Sequence, residues 1–265
     1  MSVATGFAAG GNSRGRQWNG KPVLDTVVLH PHSDVAQPYW ASVMQAGDVL
    51  VDATCGNGWD TLFMVKALAA AGGGTVVTCD VQEVALYKAK ALLGVELQAC
   101  MLIERERSEV AADEKLEESW VLRPTEEFLR THPAAGLVKV RWVLRNHFDL
   151  MNAFHPASVR VVAFNLGYLP GGDKAIVTEP EVTLATIRAA RTALQVGGCI
   201  SCTCYPGHEA GRREEEQILQ DAAELPVEIW SCYLHQWINQ RNKRTGKRAP
   251  SLVLYQRVAS EERLI

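Results

Sequence analysis

The sequence contains no long hydrophobic run. None of its 265 residues falls in an apolar stretch that approaches the roughly 20 residues a helix needs to cross a bilayer, so no membrane contact is expected. The first 20 residues are rich in Gly, Ser, Asn and Arg, contain no acid and lack the apolar segment of a secretory signal. They are interpreted as a disordered leader or the remnant of an organelle-targeting segment. We therefore expect a cytoplasmic or organellar protein (plastid or mitochondrion) that is not secreted.

The sequence also gives no sign of disulfide-bonded cysteine pairs. The chain has seven cysteines, an odd number, and most lie in apolar strand-like runs, which predicts buried free thiols in a reducing compartment. Cys199 and Cys202 have a CxxC spacing, but in an extended strand they would point to opposite faces. No second pair lies at zinc-finger spacing, so no metal site is predicted.

A strong net charge is absent as well, since the chain carries −3 at pH 7. The acidity is local, because residues 95–137 hold ten acids against five basic residues. This stretch is partly helical in propensity and is interpreted as a surface insertion far from any reaction, with Leu102-Ile103 and Trp120-Val-Leu122 as anchors. Internal repeats and a coiled-coil seam are absent too. The expected organisation is a partly disordered leader over 1–37, a single domain over 38–258 that carries the insertion, and a tail over 259–265.

Seven apolar runs bounded by turn residues predict β-strands. They are Val49–Ala53, Thr75–Asp80, Val138–Leu144, Val159–Asn165, Cys199–Cys204, Val227–Leu234 and Ser251–Arg257. Helical patterns separate most of them, at Thr61–Ala71, at Val84–Leu93 and after the capping-box spacing Thr178-Glu-Pro-Glu181. The alternation predicts an α/β protein with a mostly parallel sheet covered on both faces. Ligands of such sheets bind at the carboxyl ends of the strands.

A glycine turn follows the first predicted strand. The segment Asp52-Ala-Thr-Cys-Gly-Asn-Gly-Trp-Asp60 leads directly into a helical pattern. Gly56 and Gly58 would let the backbone approach a ligand, and the first-turn amides of the helix offer free donors. Asp80 ends the second strand, where a carboxylate can accept hydrogen bonds from a ribose diol. A ligand that contains a nucleoside is therefore predicted.

The third glycine of the dinucleotide fingerprint is missing from this turn. A carboxylate at Asp52 would repel a pyrophosphate but would help to hold a cationic ligand such as S-adenosylmethionine (SAM). The pattern therefore favours a methyl-donor pocket. A purely structural turn and a dinucleotide site remain alternatives on this motif alone.

A second polar motif follows the fourth predicted strand. Asn165-Leu-Gly-Tyr168 lies at the same sheet edge as the glycine turn. The Asn carboxamide can accept from an amine, and the Tyr ring can stack on a base. Methyl transfer to nitrogen needs only an oriented lone pair and the loss of a proton, so this motif suits it. The alternative is an Asn that caps a turn and a Tyr that packs beneath it.

Five segments stand out as a set. They are Asp52-Ala-Thr-Cys-Gly-Asn-Gly-Trp-Asp-Thr61, Asp80-Val-Gln82, Asn165-Leu-Gly-Tyr-Leu-Pro-Gly-Gly-Asp-Lys174, Tyr205-Pro-Gly-His-Glu209 and Trp237-Ile-Asn-Gln240. In this order they resemble the MnmM family (YtqB-like, formerly described as rRNA methylases) of class I SAM-dependent methyltransferases. The similarity spans roughly residues 38–95 and 138–258. It implies a seven-stranded Rossmann-like sheet, SAM as cofactor, and the anticodon stem-loop of tRNA as partner. The implied reaction is methylation of the aminomethyl group of 5-aminomethyl-2-thiouridine at the wobble position, giving 5-methylaminomethyl-2-thiouridine.

The candidate cofactor-binding residues follow from the motifs and the resemblance. They are Asp52, Thr54, Gly56, Asn57, Gly58, Asp60, Thr61, Asp80, Gln82, Asn146, His147 and Asn165. Asn146 stands where the family carries Ser in a Ser-His pair, and Trp59 stands where it usually has His or Tyr. The insertion at 95–137 and a longer stretch after Asn239-Gln240 also depart from the family pattern.

The candidate catalytic residues are Asn165, Tyr168 and His208. His208 could accept the proton of the amine or simply hydrogen-bond its loop. Tyr168 and Tyr205 are candidates for contact with the base. The longer stretch after Asn239-Gln240 supplies candidates for contact with RNA phosphates, namely Arg241, Lys243, Arg244, Lys247 and Arg248. The alternative is that this stretch is a plain solvated loop.

Two other functions stay open at this point. The same fold could methylate ribosomal RNA or a small amine, since fold does not settle substrate. A non-catalytic RNA-binding relative could also retain the pocket. Intact Asp80 and intact Asn165-Leu-Gly-Tyr168 disfavour that alternative. A homodimer is a further open expectation.

Overall fold

The computed structural model of the chain describes residues 31–107, 117–167, 180–239 and 248–260. Within these ranges the strands are β1 (Val49–Asp52), β2 (Gly74–Asp80), β3 (Met101–Arg107), β4 (Glu117–Pro124), β5 (Val138–Leu144), β6 (Val159–Asn165), β7 (Leu194–Cys204), β8 (Trp230–Gln236) and β9 (Ser251–Arg257). The helices are α1 (Gln37–Val43), α2 (Trp59–Ala70), α3 (Glu83–Glu96), α4 (Glu126–Thr131), α5 (His147–Met151), α6 (Pro180–Ala193) and α7 (Glu209–Ala223). None of the described helices combines the length and the apolar character that crossing a membrane requires.

The strands form one sheet in the order β3-β4-β5-β2-β1-β6-β7-β9-β8. The five central strands, β5, β2, β1, β6 and β7, run parallel. An antiparallel pair flanks them on each side. The chain leaves β1 toward β2 and β5 and then returns to β6 on the other side of β1. The connection therefore changes direction between the adjacent strands β1 and β6, and ligands of such sheets bind outside the carboxyl ends of the strands at this switch point.

Helices cover both faces of the sheet, as predicted. On β1, Leu50 packs with α1, α2 and α3, whereas the next residue, Val51, points to the opposite face. That second face is covered by α5, α6 and α7. Strands buried on both sides consist of nearly continuous apolar residues, which is why the parallel strands could be found from their hydrophobic runs.

The sheet has nine strands rather than the seven predicted, because the acidic stretch contributes two. β3 and β4 form a hairpin, and β4 pairs antiparallel with β5. Trp120 is buried, and its ring packs edge-on against Trp142 of β5 at 5.1 Å between ring centroids. The expected anchor Leu102-Ile103 is only partly correct. Ile103 packs against the core, but Leu102 is exposed and Met101 is buried instead.

The boundaries of two strands differ from the prediction by more than one residue. α6 ends at Ala193 and β7 begins at once, at Leu194, with an irregularity in its register against β6. β8 begins later than predicted, at Trp230. The Pro226 carbonyl accepts hydrogen bonds from the amides of Ile229 and Trp230, and the resulting turn leaves Val227 exposed.

Part of the predicted leader is folded. A π-helical turn, Pro31–Ala36, continues into α1, and Ala36 and Trp40 are fully buried. The ring of Trp40 contacts Phe63 of α2 at 6.1 Å between centroids. The described structure thus begins before the predicted domain boundary at residue 38, because this segment supplies apolar surface to one face of the sheet.

A buried ion pair lies at the amino ends of β1 and β6, at the opposite edge from the switch point. Arg160 donates to Asp48 at 3.0 Å, and both side chains are about one-tenth exposed or less. Asp48 also accepts from the Gln45 amide at 2.6 Å and from the Gln195 side chain at 3.0 Å. Arg160 in turn donates to the carbonyl of Val196 at 3.1 Å. Every charge here is met by hydrogen bonds, which a buried ion pair requires.

Candidate functional site

Polar side chains gather where β1, β2, β5, β6 and β7 end. Because these strands are parallel neighbours, their carboxyl ends lie at one edge of the sheet, around the switch point. Residues that are distant in the sequence, such as Asp52 and Tyr205, thereby come to one site. The predicted donor loop over residues 53–58 and the predicted acceptor position at Asn165 both lie there.

The donor loop depends on glycine for packing as well as for its turn. Gly58 adopts the left-handed conformation with φ of 87°, which strongly favours glycine. A Cβ at Gly58 would lie 2.6 Å from the Cβ of Ala89, so this glycine lets the start of α2 press against α3. The sequence interpretation assigned Gly58 to ligand approach, and the structure adds this steric reason.

Asp52 lies under the donor loop with 1% of its surface exposed. Its Oδ2 accepts from the hydroxyl of Thr61 at 2.5 Å, and Thr61 lies 3.0 Å from the hydroxyl of Thr78. Its Oδ1 accepts from the Thr54 amide at 3.3 Å. Burial, and next the nearby charge of Asp60, raise the pKa of Asp52 to about 7. The carboxylate therefore supports the loop from below.

Asp80, at the end of β2, fixes the loop from the side. Its Oδ2 accepts from the Gly56 amide at 3.0 Å and its Oδ1 from the Gln82 amide at 2.9 Å. Burial raises the pKa of Asp80 although both hydrogen bonds favour the charged form. Each carboxylate oxygen has a second lone pair, so the side chain can still accept from a diol.

Asp60 belongs to the first turn of α2 and is buried. Its Oδ1 accepts from the Gln37 side chain of α1 at 2.8 Å. The segment ahead of the sheet therefore reaches the donor site, which the sequence analysis missed. No local pattern indicates this pairing, because 23 residues separate the two side chains. Asn57, between the two loop glycines, is half-buried.

Asn146 and His147 follow β5. Asn146 caps the short helix α5, since its Oδ1 accepts from the Phe148 amide at 2.8 Å. His147 is buried, and its ring meets Phe164 edge-on at 5.9 Å between centroids. Its Nε2 has no hydrogen-bond partner. Burial lowers the pKa of His147 to about 4, so the imidazole is neutral at physiological pH.

We expect His147 to make the stability of the protein fall in mild acid. Its pKa is lower in the folded chain than the unfolded value of 6.5, so between these values only the unfolded chain holds the proton. The stability contributed by neutral His147 is fully present above about pH 6.5 and is lost as pH falls toward 4. This amounts to about 2 kcal/mol between pH 7.5 and pH 5.

Urea denaturation of the wild type and of His147→Gln at both pH values measures this loss. Asp52, whose pKa is shifted in the opposite direction, titrates in both proteins, so the difference between them isolates the histidine. An equal change in the free energy of unfolding with pH in both proteins would contradict the prediction.

The acceptor position is tied to the donor loop. The amide of Asn165 donates to the hydroxyl of Thr54 at 2.7 Å. The side-chain Oδ1 of Asn165 accepts from the hydroxyl of Tyr205 at 2.8 Å. Gly167 has a φ of 115°, and a Cβ there would touch the Tyr205 ring at 3.5 Å. The bond to Thr54 fixes the backbone of Asn165, and the bond from Tyr205 orients its carboxamide, whose second oxygen lone pair can accept from an amine.

His208 caps the helix that follows this loop. Its Nδ1 accepts from the Gly211 amide at 3.0 Å, which places the hydrogen of a neutral ring on Nε2. The cap thus occupies the ring nitrogen that could accept a proton. The structure explains the local role of His208 in this way, and a catalytic role stays a prediction.

Several predicted substrate residues lie outside the described ranges, namely Tyr168, Arg241, Lys243, Arg244 and Lys247. Arg248 is described. Its guanidinium donates to the buried carboxylate of Glu215 at 2.7 Å and to Gln236 at 2.8 Å. This pairing engages much of the charge of Arg248, and its contact with RNA stays a prediction.

Known sequences similar to this chain belong to methyltransferases. A family model described as "Putative rRNA methylase" matches residues 118–249. The chloroplastic tRNA (mnm5s2U34)-methyltransferase of Arabidopsis thaliana is 36% identical over 211 residues. The match covers 78% of this chain and 65% of the relative, so the chain spans about two-thirds of the length of that protein.

Solved structures show the same fold. A "putative rRNA-methylase" from Clostridium thermocellum superposes with a TM-score of 0.62 at 26% identity, covering 87% of this chain and all of the other. A "putative methyltransferase" from Streptococcus mutans in complex with SAH gives a TM-score of 0.59 at 25% identity, covering 87% of this chain and 99% of the other. An rRNA methylase from Streptococcus thermophilus, at 22% identity and a TM-score of 0.56, covers 88% of this chain and 100% of its own length.

Proposed function

This chain belongs to the MnmM-like family of rRNA-methylase-type proteins, and on that premise we propose that it is a SAM-dependent tRNA methyltransferase. Its acceptor would be the aminomethyl group of 5-aminomethyl-2-thiouridine at the wobble position. The observation that carries the proposal is the pair of hydrogen bonds from Tyr205 to Asn165 and from Asn165 to Thr54. They join the proposed amine-accepting group directly to the loop that we infer binds the nucleoside of the donor. The name of the Arabidopsis relative supports this choice of acceptor.

The residues of the donor loop suit SAM. When bound, SAM supplies a methyl group on a positively charged sulfonium. Asp80 would hold the ribose diol, and Gln82 lies beside it at the start of α3. Neutral His147, the first residue of α5 just after the neighbouring strand β5, offers an unpaired buried ring nitrogen, where a hydrogen-bonding edge of adenine could meet it. The complex of the Streptococcus mutans relative with SAH supports this assignment.

The buried carboxylates give the pocket a preference for a cation. Asp52 and Asp60 lie in or beneath the loop. A positively charged donor would be stabilised over its neutral product by Asp60 and by the ionised form of Asp52, which a bound cation itself favours. That difference would favour product release after each turnover. Anionic phosphates would be disfavoured in the same place, which is consistent with a loop that binds a nucleoside without a pyrophosphate.

The acceptor residues would orient the amine without activating a protein nucleophile. The carboxamide of Asn165 can accept one N–H of the amine, which directs the nitrogen lone pair away from the protein and toward the donor. The neutral amine nitrogen would form a bond to the methyl carbon while the bond from that carbon to the sulfonium sulfur breaks, which leaves SAH, and the methylated nitrogen would then lose one proton. An amine needs no stronger base than water for that loss, so the site can act through orientation alone.

Mass spectrometry of tRNA nucleosides tests the proposal. The purified protein is incubated with SAM and with tRNA that carries 5-aminomethyl-2-thiouridine, and in parallel with ribosomal RNA. We expect one methyl group to be added to the wobble nucleoside only. Methylation of ribosomal RNA alone would show that the acceptor is ribosomal RNA and not the wobble nucleoside of tRNA. SAM binding without methylation of any RNA would contradict the proposal.

For Asn165→Ala we expect kcat/KM for tRNA to fall by at least about tenfold, because one hydrogen bond to the amine and its orientation are lost. Tyr205→Phe leaves the carboxamide in place and serves as the milder comparison. Unchanged kcat/KM in Asn165→Ala would exclude this residue as the amine-binding group.

A further inference from the structure

Trp59 is an exposed aromatic side chain at the rim of the site. It is the first residue of α2 and directly follows the donor loop. Its side chain is 60% exposed, whereas Trp40, Trp120 and Trp142 are buried. The fold therefore gains little from this large apolar ring, although a tryptophan usually buries much of its area.

The backbone beneath Trp59 is fixed on both sides. Gly58 before it is pressed against Ala89, and Asp60 after it is held by Gln37. Thr61, the residue after Asp60, is hydrogen-bonded to Asp52. The ring therefore stands on a rigid support, and a ligand that contacts it would lose little free energy in ordering the backbone.

The charges around Trp59 select the chemistry of such a ligand. The buried carboxylates of Asp52 and Asp60 and the half-buried carboxylate of Asp80 surround the loop, so a phosphate group is electrostatically disfavoured there. An uncharged flat ring is not disfavoured. Because Thr54 of the same loop is hydrogen-bonded to Asn165, an RNA whose modified nucleotide reaches Asn165 would bring its next nucleotides near the rim.

We propose that Trp59 is a stacking platform for an unpaired nucleobase of the acceptor RNA, next to the nucleotide that is methylated. This inference rests on the proposed function and adds to it a base-binding contact. Stacking on an aromatic ring is tolerant of base identity, since every base has a π face. Trp59 would thus add affinity for a single-stranded loop without reading its sequence.

Steady-state methylation of a synthetic anticodon stem-loop that carries 5-aminomethyl-2-thiouridine tests the platform. We expect Trp59→Ala to raise KM for this RNA about tenfold, a loss in the range of one base–aromatic stack, with kcat changed less. Trp59→Phe should restore most of the affinity. Tyr233→Ala removes an aromatic side chain of similar exposure (51%) from β8, four strands from β1 in the sheet, and should leave KM unchanged.

Two further measurements distinguish RNA from the other groups that could contact Trp59. Calorimetric titration with SAH tests a contact with the donor, and the oligomeric state tests a contact with another protein chain. An unchanged KM for RNA in Trp59→Ala would overturn the platform while the proposed function stands. A loss that is matched by weaker SAH binding would assign Trp59 to the donor site, and a loss of oligomer would assign it to a protein contact; either result overturns the proposal. A wild-type protein that neither binds nor methylates the stem-loop would overturn both proposals together.

Discussion

Asp80→Ala is expected to weaken SAM binding about 100-fold, which corresponds to about 2.7 kcal/mol. Two effects add in this variant. The proposed hydrogen bonds to the ribose are lost, and hydrogen bonds to a charged group are worth about 1.5–3 kcal/mol each. The Gly56 amide also loses its acceptor, so the loop that should meet the ligand is no longer held against β2.

Isothermal titration with SAM and SAH measures the effect of Asp80→Ala. Glu83→Ala is the matched control, since Glu83 is an exposed acid three residues away in the first turn of α3. Asp80→Asn separates the two effects, because the amide oxygen can still accept one hydrogen bond while the charge is gone. Equal affinity in Asp80→Ala and in the wild type would remove Asp80 from the donor site.

Asp48→Ala is expected to lower the free energy of unfolding by about 3–5 kcal/mol, because it leaves the buried Arg160 guanidinium without a counter-charge. The loss is large because Asp48 accepts from three groups, and Ala replaces none of these acceptors. Asp48 lies at the amino edge of the sheet, so properly folded variant protein should keep its affinity for SAM.

Urea denaturation at constant pH measures this loss of stability. Glu104→Ala is the control, since the Arg123–Glu104 pair is more than half exposed and such pairs contribute about 0–1 kcal/mol. The double variant Asp48→Ala/Arg160→Met, which removes the stranded charge, should regain part of the loss. A loss below about 1 kcal/mol in the single variant would mean that water or a rearrangement satisfies Arg160.

The parallel part of the sheet could be predicted from the sequence because its strands are buried on both faces. The bounds of the parallel strands Val138–Leu144 and Val159–Asn165 agree with the predicted ones, as do those of the antiparallel strand Ser251–Arg257. Such strands are largely apolar, and turn residues mark their ends. The common location of the donor loop and Asn165 followed from the same parallel order.

The acidic hairpin could not be predicted in this way. β3 consists largely of charged residues, as in Glu104-Arg105-Glu106, and its strand conformation depends on pairing with β4, while β4 depends on β5. Strand formation of this kind is decided by the partner more than by the local sequence. The contact of Gln37 with Asp60 was missed for a related reason, since nothing near either residue indicates the other.

The hairpin also determines which strand edge meets the solvent. Without β3 and β4, the edge strand would be β5, whose Val140 and Trp142 are fully buried in the sheet. With them, the outer edge is β3, where charged side chains are exposed and Glu106 pairs with Lys139 across the sheet. A flat apolar edge can add strands from other molecules, whereas charged side chains oppose that growth. The acidic stretch thus protects the folded chain against edge-to-edge aggregation.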